Sequence, residues 1–247
     1  MEKRFLYRSS AVALGGRITR PFCEVIESQA ATVLPIAGGH GNARVDGFRY
    51  RDLVSFRTAY TTVSGSPSGT EAKPIYNSLA TVTIEGLNVM NVVTADAVVA
   101  RLVSQHEDED ELPLHPVGSY FVNLRIAGVR VDLRPHDGLF ECRTLADVAK
   151  ACGKGGPVAL DGTPLKVDPA SSKSVLTSLF DRPALPSGCA TKDGWGIHLP
   201  GFGDIYLGEY LLGRSTRRLT MLRIEMGSPV RGFLAFADTE GNGSTYP

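Results

Sequence analysis

Apolar and polar residues alternate with a period of two over much of the chain. The clearest examples are residues 43–50, 80–89 and 122–131. Successive side chains of a β-strand point to opposite faces, so this pattern places one face of each strand in a core and the other in water. Between such runs lie 27 glycines and 15 prolines spread along the chain, which is typical of many short strands joined by turns.

The three runs each carry a glycine at a corresponding place. Gly47, Gly86 and Gly128 are 39 and then 42 residues apart, and the first two runs also continue alike in residues 52–56 and 91–95. A glycine within a strand weakens it, so its recurrence predicts a bulge or a sharp bend. We interpret the runs as a weak repeat in which each unit adds a bent strand or hairpin to a common core. The unequal spacing argues against a regular propeller or solenoid.

Residues 140–190 follow a different pattern. Residues 144–147 resemble a capping box and are followed by apolar residues at helical spacing up to Gly153. Asp168 and Pro169 make a suitable start for a second helix, whose apolar stripe covers residues 175–180. The sequence therefore predicts a loop and two-helix insertion packed on the β body.

Together these patterns predict one all-β domain over residues 1–247, mainly antiparallel, with bent strands. A sandwich and an irregular barrel are both compatible with the frequency of turns and the alternation. Residues 240–247 are rich in glycine and small polar residues, so they are predicted to form a flexible tail.

The charge balance narrows the classes of partner. The chain carries 26 basic and 26 acidic residues, so its formal net charge is zero. Proteins that neutralise many phosphates usually carry a basic excess, so nucleic acid is not an expected partner. No run of 18 apolar residues suits a membrane span, and the first residues lack the apolar core of a signal peptide. We expect a cytoplasmic protein or one whose leader has been removed, with a charge that permits self-association.

The four cysteines allow two disulfides in any of three pairings, or four buried thiols. The sequence contains no pair of cysteines two residues apart and no cluster of histidine with cysteine, so a structural zinc site is not expected. The cysteines are Cys23, Cys142, Cys152 and Cys189.

Five short segments follow one another in a recognisable order, at residues 94–100, 120–131, 199–207, 219–224 and 233–236. This order resembles that in bacterial secreted proteins of the choice-of-anchor P family. The resemblance implies a β-rich extracellular or cell-surface domain of unknown biochemistry, and it supplies no catalytic residues. Two departures from that pattern are the absent signal peptide and the long insertion.

One cluster has the residue types of a metal or acid–base site. His136 lies close to two carboxylates, Asp132 and Asp137. A histidine beside a carboxylate can ligate a metal or act as an oriented base. The alternative is a polar turn after a strand, which Pro135 and Gly138 favour.

A second group has the residue types of a ligand platform. Arg49 and Arg51 alternate with Tyr50, which gives one strand an aromatic face and a basic face that could stack on bases or sugars. Trp195 and Tyr206 could serve as further sugar platforms. The alternatives place the aromatic residues of the strand, and Trp195, in the core, with the arginines in water.

No nucleophile elbow, zinc-protease motif, phosphate loop or dinucleotide fingerprint occurs in the chain, and no cofactor is expected. The favoured function is a non-enzymatic structural or interaction protein at a bacterial surface or outside the cell. We expect it to form a homo-oligomer or larger assembly through unpaired strand edges at its termini. The alternatives are a carbohydrate- or small-ligand-binding module, with a glycan as partner, and a metal-assisted hydrolase around His136.

Overall fold

The computed structural model describes residues 4–71, 73–107, 118–136, 139, 175–212 and 217–246. These residues form sixteen β-strands in two antiparallel sheets. The described residues contain no helix that is long and apolar enough to cross a membrane.

Sheet A contains the two ends of the chain and most of its second half. Its order is β12-β13-β14-β15-β16-β1-β2, with β11 also paired to β14 and β3 also paired to β1. Its strands are β1 (Arg4–Arg20), β2 (Glu24–Gln29), β3 (Thr32–Val33), β11 (Val175–Ser178), β12 (Ala190–Lys192), β13 (Gly196–Leu199), β14 (Gly203–Leu212), β15 (Arg217–Met226) and β16 (Arg231–Tyr246).

Sheet B is formed by the middle of the chain. Its order is β10-β9-β7-β6-β5-β4, with β8 also paired to β7. Its strands are β4 (Gly39–Tyr50), β5 (Val54–Thr70), β6 (Lys73–Val89), β7 (Val93–Glu107), β8 (Tyr120–Val122), β9 (Arg125–Ile126) and β10 (Val129–Arg130).

The two sheets pack face to face around one apolar core. β1, β15 and β16 of sheet A contact β5, β6 and β7 of sheet B. Leu14 and Phe236 from one sheet and Ile84 and Leu102 from the other are almost fully buried, because each sheet hides its apolar face against the other. The all-β, antiparallel prediction is confirmed, and the two separate sheets do not close into a barrel.

One transverse row interrupts the alternation of side chains in sheet B. Gly47 and Gly86 lie in this row on β4 and β6, with φ of +68° and +66°. On β5, between them, the buried residues on the two sides of the row are Phe56 and Ala59, three positions apart instead of two. The pairing register is the same on both sides. The glycines therefore make a bend without an inserted residue, where a left-handed backbone conformation suits glycine.

Sheet A contains a corresponding row. Gly208 of β14 and Ala237 of β16 have φ of +64° and +51°. On β15, between them, Leu219 and Leu222 both face the core although they too are three positions apart. Each sheet thus bends at one row, with left-handed residues on alternate strands.

The predicted repeat corresponds to two similar hairpins. β4–β5 and β6–β7 each bend before a tight turn, and the two turns are joined where the Met90 amide donates to the Leu53 carbonyl at 2.9 Å. The third copy is different, since Gly128 lies with Ala127 in the two-residue turn between β9 and β10.

The prediction of a second helix in the 140–190 insertion is wrong. Residues Val175–Ser178 form β11 and pair with β14 from Glu209 to Leu212. The next two residues, Leu179 and Phe180, are buried, so the apolar run that suggested a helix extends a sheet and enters the core. The first predicted helix, at residues 144–153, lies outside the described residues.

The two ends of the described chain lie side by side inside sheet A. β1 pairs with β16 from the Arg4–Tyr246 pair to the Arg20–Arg231 pair. Residues 240–246 therefore continue β16 instead of forming the predicted tail. The prediction of unpaired strand edges at the termini is also wrong. β1 lies between β16 and β2, and β16 lies between β15 and β1.

Candidate functional site

The longest free strand edge in the described part of the chain belongs to β4. β4 pairs with β5 on one side, and no described residue pairs with it on the other. It has 12 residues, whereas the end strands β2, β10 and β12 have 6, 2 and 3. The backbone N–H and C=O groups along its outer side are available to pair with another strand.

Exposed apolar side chains flank this edge. Val33 of β3, Val25 of β2 and Ile36, just before β4, are 70%, 69% and 63% exposed, the highest values among the described large apolar residues. β3 lies against β4, since a Cβ on Gly41 would be 2.8 Å from Thr32 Oγ1. We call the side of the sandwich formed by β2, β3 and β4 the edge surface. An unpaired strand beside exposed apolar residues is typical of an interaction surface.

The predicted ligand residues of β4 lie at one end of the edge surface and are bonded to their neighbours. The Tyr50 hydroxyl and the Arg51 guanidinium both donate to the Glu24 carboxylate of β2, the latter at 2.7 Å. The hydrogen bond to Glu24 raises the pKa of Tyr50. Arg49 forms an ion pair with Asp52 at 2.5 Å. Tyr50 and Arg51 therefore join sheet B to sheet A through Glu24, whereas the Arg49–Asp52 pair lies within sheet B.

Trp195 does not share a site with Tyr50. It lies in the turn between β12 and β13, at the far end of sheet A from the β2 strand that Tyr50 contacts. With about 4.8 Å between neighbouring strands and five or six strand steps between the two places, the separation across the sheet is roughly 24–29 Å. The Trp195 Nε1 is buried and has no hydrogen-bond partner among the described residues.

Tyr206 belongs to a buried ion-pair cluster on β14 and β15. Its hydroxyl donates to Asp193 Oδ2 at 3.0 Å, and its ring centroid is 3.7 Å from Arg223 Cζ. Two nitrogens of Arg223 donate to the two carboxylate oxygens of Glu209, with Nη2 to Oε1 at 2.8 Å. Burial alone would lower the pKa of Arg223, but the hydrogen bonds and charge of Glu209 outweigh it and raise the pKa. Tyr206 is therefore a packing residue and not an exposed platform.

The two described residues of the predicted metal site, Asp132 and His136, each contact a different partner. His136 Nδ1 is 2.7 Å from Asp181 Oδ1, and Asp132 accepts a hydrogen bond from Arg130 at 2.9 Å. Asp137 lies outside the described residues. Within the described ranges, no three histidine, cysteine or carboxylate side chains are placed to hold a metal ion.

A cavity of about 260 Å³ lies beside this segment, with Tyr120, Leu133 and Phe180 in its wall. The charged residues of the wall, Arg130 and Asp132, form an ion pair with each other. Their charges therefore compensate each other within the wall.

Two of the four cysteines are described, and both are free thiols. Cys23 is exposed and accepts a hydrogen bond from Arg17 at 3.2 Å, whereas burial raises the pKa of the half-buried Cys189 thiol. No disulfide through either residue is present. Cys142 and Cys152 lie outside the described residues, so a bridge between them stays a prediction.

Sequence reasoning missed a buried polar cluster on β7, β15 and β16. His106 Nε2 is 2.8 Å from Ser104 Oγ, and Gly241 packs against Ser104. The Arg217 amide donates to Asn242 Oδ1 at 2.8 Å. Burial, assisted by the positive charge of Arg217, lowers the pKa of His106 to about 4. The sequence does contain a sign of this cluster, because Ser104 and His106 occupy positions that the alternation of β7 places inward.

We expect His106 to make the fold less stable in acid. The pKa of His106 is about 4 in the folded state, whereas the ordinary value of 6.5 applies to the unfolded chain. As the pH falls from 6.5 to 4, only the unfolded state therefore gains the proton. Stability should then fall by up to about 1.4 kcal/mol per pH unit, with no such effect above pH 6.5. Urea unfolding at pH 7.0 and 5.0 measures this loss, which should be smaller in His106→Gln. Equal losses in the two proteins would contradict the assignment.

The comparisons with known proteins assign a family without an activity. Residues 5–154 match the model of a family described as a domain of unknown function, DUF8256. No curated protein and no solved structure matches the chain. The matched range covers β1 to β10, which include the whole edge surface. The resemblance to the choice-of-anchor P family stays a prediction. The chain belongs to the DUF8256 family.

Proposed function

We propose that this protein is a non-enzymatic structural or interaction protein that assembles through the free edge of β4. The observation that carries the proposal is the free edge of a 12-residue strand. No described residue pairs with this side of β4, and the exposed Val25, Val33 and Ile36 lie beside it. Pairing with another strand would satisfy the backbone groups of the edge and cover apolar surface at the same time.

The composition of β4 supports this choice of edge. Proteins commonly protect an edge with a proline or with a charge that points inward, and β4 contains no proline. The residues of β4 that pack on the core are Ala43, Val45, Phe48 and Tyr50, all without charge. The charged residues in its straight part, Arg44 and Asp46, are exposed and neutralise each other at 3.0 Å.

A place at the bacterial surface and a glycan partner stay predictions for this protein. A metal-assisted hydrolase around His136 also stays a prediction, with Asp181 rather than Asp132 as the carboxylate beside the imidazole.

Val45→Lys is the variant that tests the edge. It places a cation at an inward position of the edge strand, where pairing with a second strand would bury it. We expect the wild-type protein to associate as its concentration rises and Val45→Lys to stay monomeric. Sedimentation velocity over a concentration series measures both.

Thr62→Lys is the matched control. Thr62 is exposed on β5 and pairs with Asn42 of β4, so it lies one strand away from the free edge. This variant should associate like the wild type, and near-ultraviolet circular dichroism checks that both variants are folded. A wild-type protein that stays monomeric throughout, or equal association of the two lysine variants, would overturn the proposal.

A further inference from the structure

We infer that the strand added at β4 comes from a second copy of the chain, antiparallel, about a two-fold axis through Ala43. This inference rests on the proposed function and gives it a partner and a register. The pairing uses residues 40–46, the straight part of β4 before the bend at Gly47.

The bend limits which part of β4 can pair with itself. Before Gly47 the exposed residues alternate regularly, but after it Phe48 packs inward where continued alternation from Asp46 would place an outward residue. In a two-fold pair the bends of the two copies lie at opposite ends of the ladder, so each bent end meets a straight one. The ladder is therefore confined to the straight parts, which match each other in length.

The need to match the inward and outward faces of the two strands leaves few registers for this pairing. A two-fold axis perpendicular to the sheet keeps both outer faces on the same side, so an exposed residue of one copy must oppose an exposed residue of the other. The exposed residues of the straight part are His40, Asn42, Arg44 and Asp46. An axis through Arg44 would place the two copies of this arginine directly opposite each other, which is destabilising. An axis through Ala43 avoids this and pairs all of residues 40–46.

The register through Ala43 places polar side chains that can hydrogen-bond to each other opposite one another on the outer face. Arg44 of each copy lies opposite Asn42 of the other, and Asp46 lies opposite His40. No like charges meet, since the Arg44 guanidinium can donate to the Asn42 amide oxygen and the Asp46 carboxylate can accept from the His40 imidazole.

On the inner face this register places a valine opposite a glycine. Val45 of the second copy lies opposite Gly41, which has no side chain to obstruct it. β3 borders this place, because the Val33 carbonyl oxygen is 3.2 Å from the position of a Cβ on Gly41 and Val33 is 70% exposed. A valine brought there therefore lies at the border of β3, beside the most exposed of the described large apolar residues.

The assembly closes at two chains. In a two-fold interface the same surface serves both copies, so each β4 edge is used once and none remains for a third copy. Sheet B of one copy then continues into sheet B of the other.

Opposite charge changes at Asn42 test this register. Asn42→Asp places a carboxylate opposite Arg44 of the other copy at two symmetry-related positions, and Asn42→Lys places a like charge there. We expect the dimer Kd to become about fivefold tighter in Asn42→Asp and about fivefold weaker in Asn42→Lys. The double variant Asn42→Lys/Arg44→Asp restores opposite charges and should recover the dimer. Sedimentation equilibrium gives each Kd and the stoichiometry.

Thr62→Asp and Thr62→Lys are the controls, because Thr62 is the neighbour of Asn42 on β5. They carry the same charge changes on the same face away from the interface, and their Kd should stay within twofold of wild type. Association that Val45→Lys abolishes but the Asn42 variants leave unchanged would overturn the register while the edge proposal stands. Species larger than dimers would overturn the two-fold pairing. A protein that is monomeric at all concentrations would overturn both proposals.

Discussion

Gly203→Ala is expected to destabilise the fold by more than about 3 kcal/mol, measured by urea unfolding. Gly203 opens β14 with φ of +136°, and a Cβ at this position would collide with the Glu225 carbonyl oxygen. It would also lie 2.7 Å from the Gly227 amide nitrogen. Both obstacles are backbone atoms at the end of the adjacent strand, so no side-chain rotation relieves the collision. β14 and β15 would have to separate at this point.

Gly201→Ala is the matched control for this prediction. Gly201 also has a positive φ, +75°, but a Cβ there meets no atom within 4 Å. Its cost should be the strain of the left-handed backbone alone, about 1–2 kcal/mol. If the two alanine variants lose the same stability, the close packing of β14 on β15 does not control this position.

Arg223→Met is expected to cost about 3–5 kcal/mol, because it leaves the Glu209 carboxylate buried without a cation. The Glu209 side chain is only 6% exposed, and Arg223 supplies two of its hydrogen bonds. The substitution also removes the guanidinium from the face of Tyr206. Thermal and urea unfolding at pH 7 measure the loss.

The double variant Arg223→Met/Glu209→Leu separates the charge from the packing. Removing both charges should recover most of the stability lost in Arg223→Met, since an apolar pair needs no compensation. Arg57→Met, which breaks the exposed Arg57–Glu85 pair, should cost less than about 1 kcal/mol. A loss in Arg223→Met no larger than in Arg57→Met would mean that the Glu209 carboxylate does not depend on its partner.

Local patterns predicted the parts of the fold that depend on local contacts. The alternation of residues 43–50 and 80–89 identified two hairpin strands, and the recurrence of Gly47 and Gly86 identified the bend in sheet B. The matching bend in sheet A was not predicted, because Ala237 takes the left-handed conformation there without being a glycine.

Long-range pairing explains the errors. The apolar spacing in residues 175–180 suits one face of a helix. Residues 175–178 form a strand because they pair with β14, which is distant in sequence. The glycine-rich end resembled a tail, yet Gly243 lies against the Phe5 ring, with which a Cβ at this position would collide. These partners are far apart in sequence, so no local pattern identifies them.

The candidate site depended on topology in the same way. The sequence of β4 alternates like that of a central strand, and its position at the edge follows only from the strand order. Among the described residues, the carboxylate beside His136 is that of Asp181, which is 45 residues away in sequence and which no local pattern identifies.

The pairing of β1 with β16 also bears on how the chain reaches its native state. Sheet B grows through consecutive hairpins, so its four long strands can find one another over short chain segments. β1 must wait for a partner that lies more than 200 residues later, as Arg4 pairs with Tyr246. Closing so long a loop costs entropy that few early contacts offset. During synthesis one side of β1 therefore stays unpaired until β16 has been made. In that interval β1 is most vulnerable to pairing with the wrong chain.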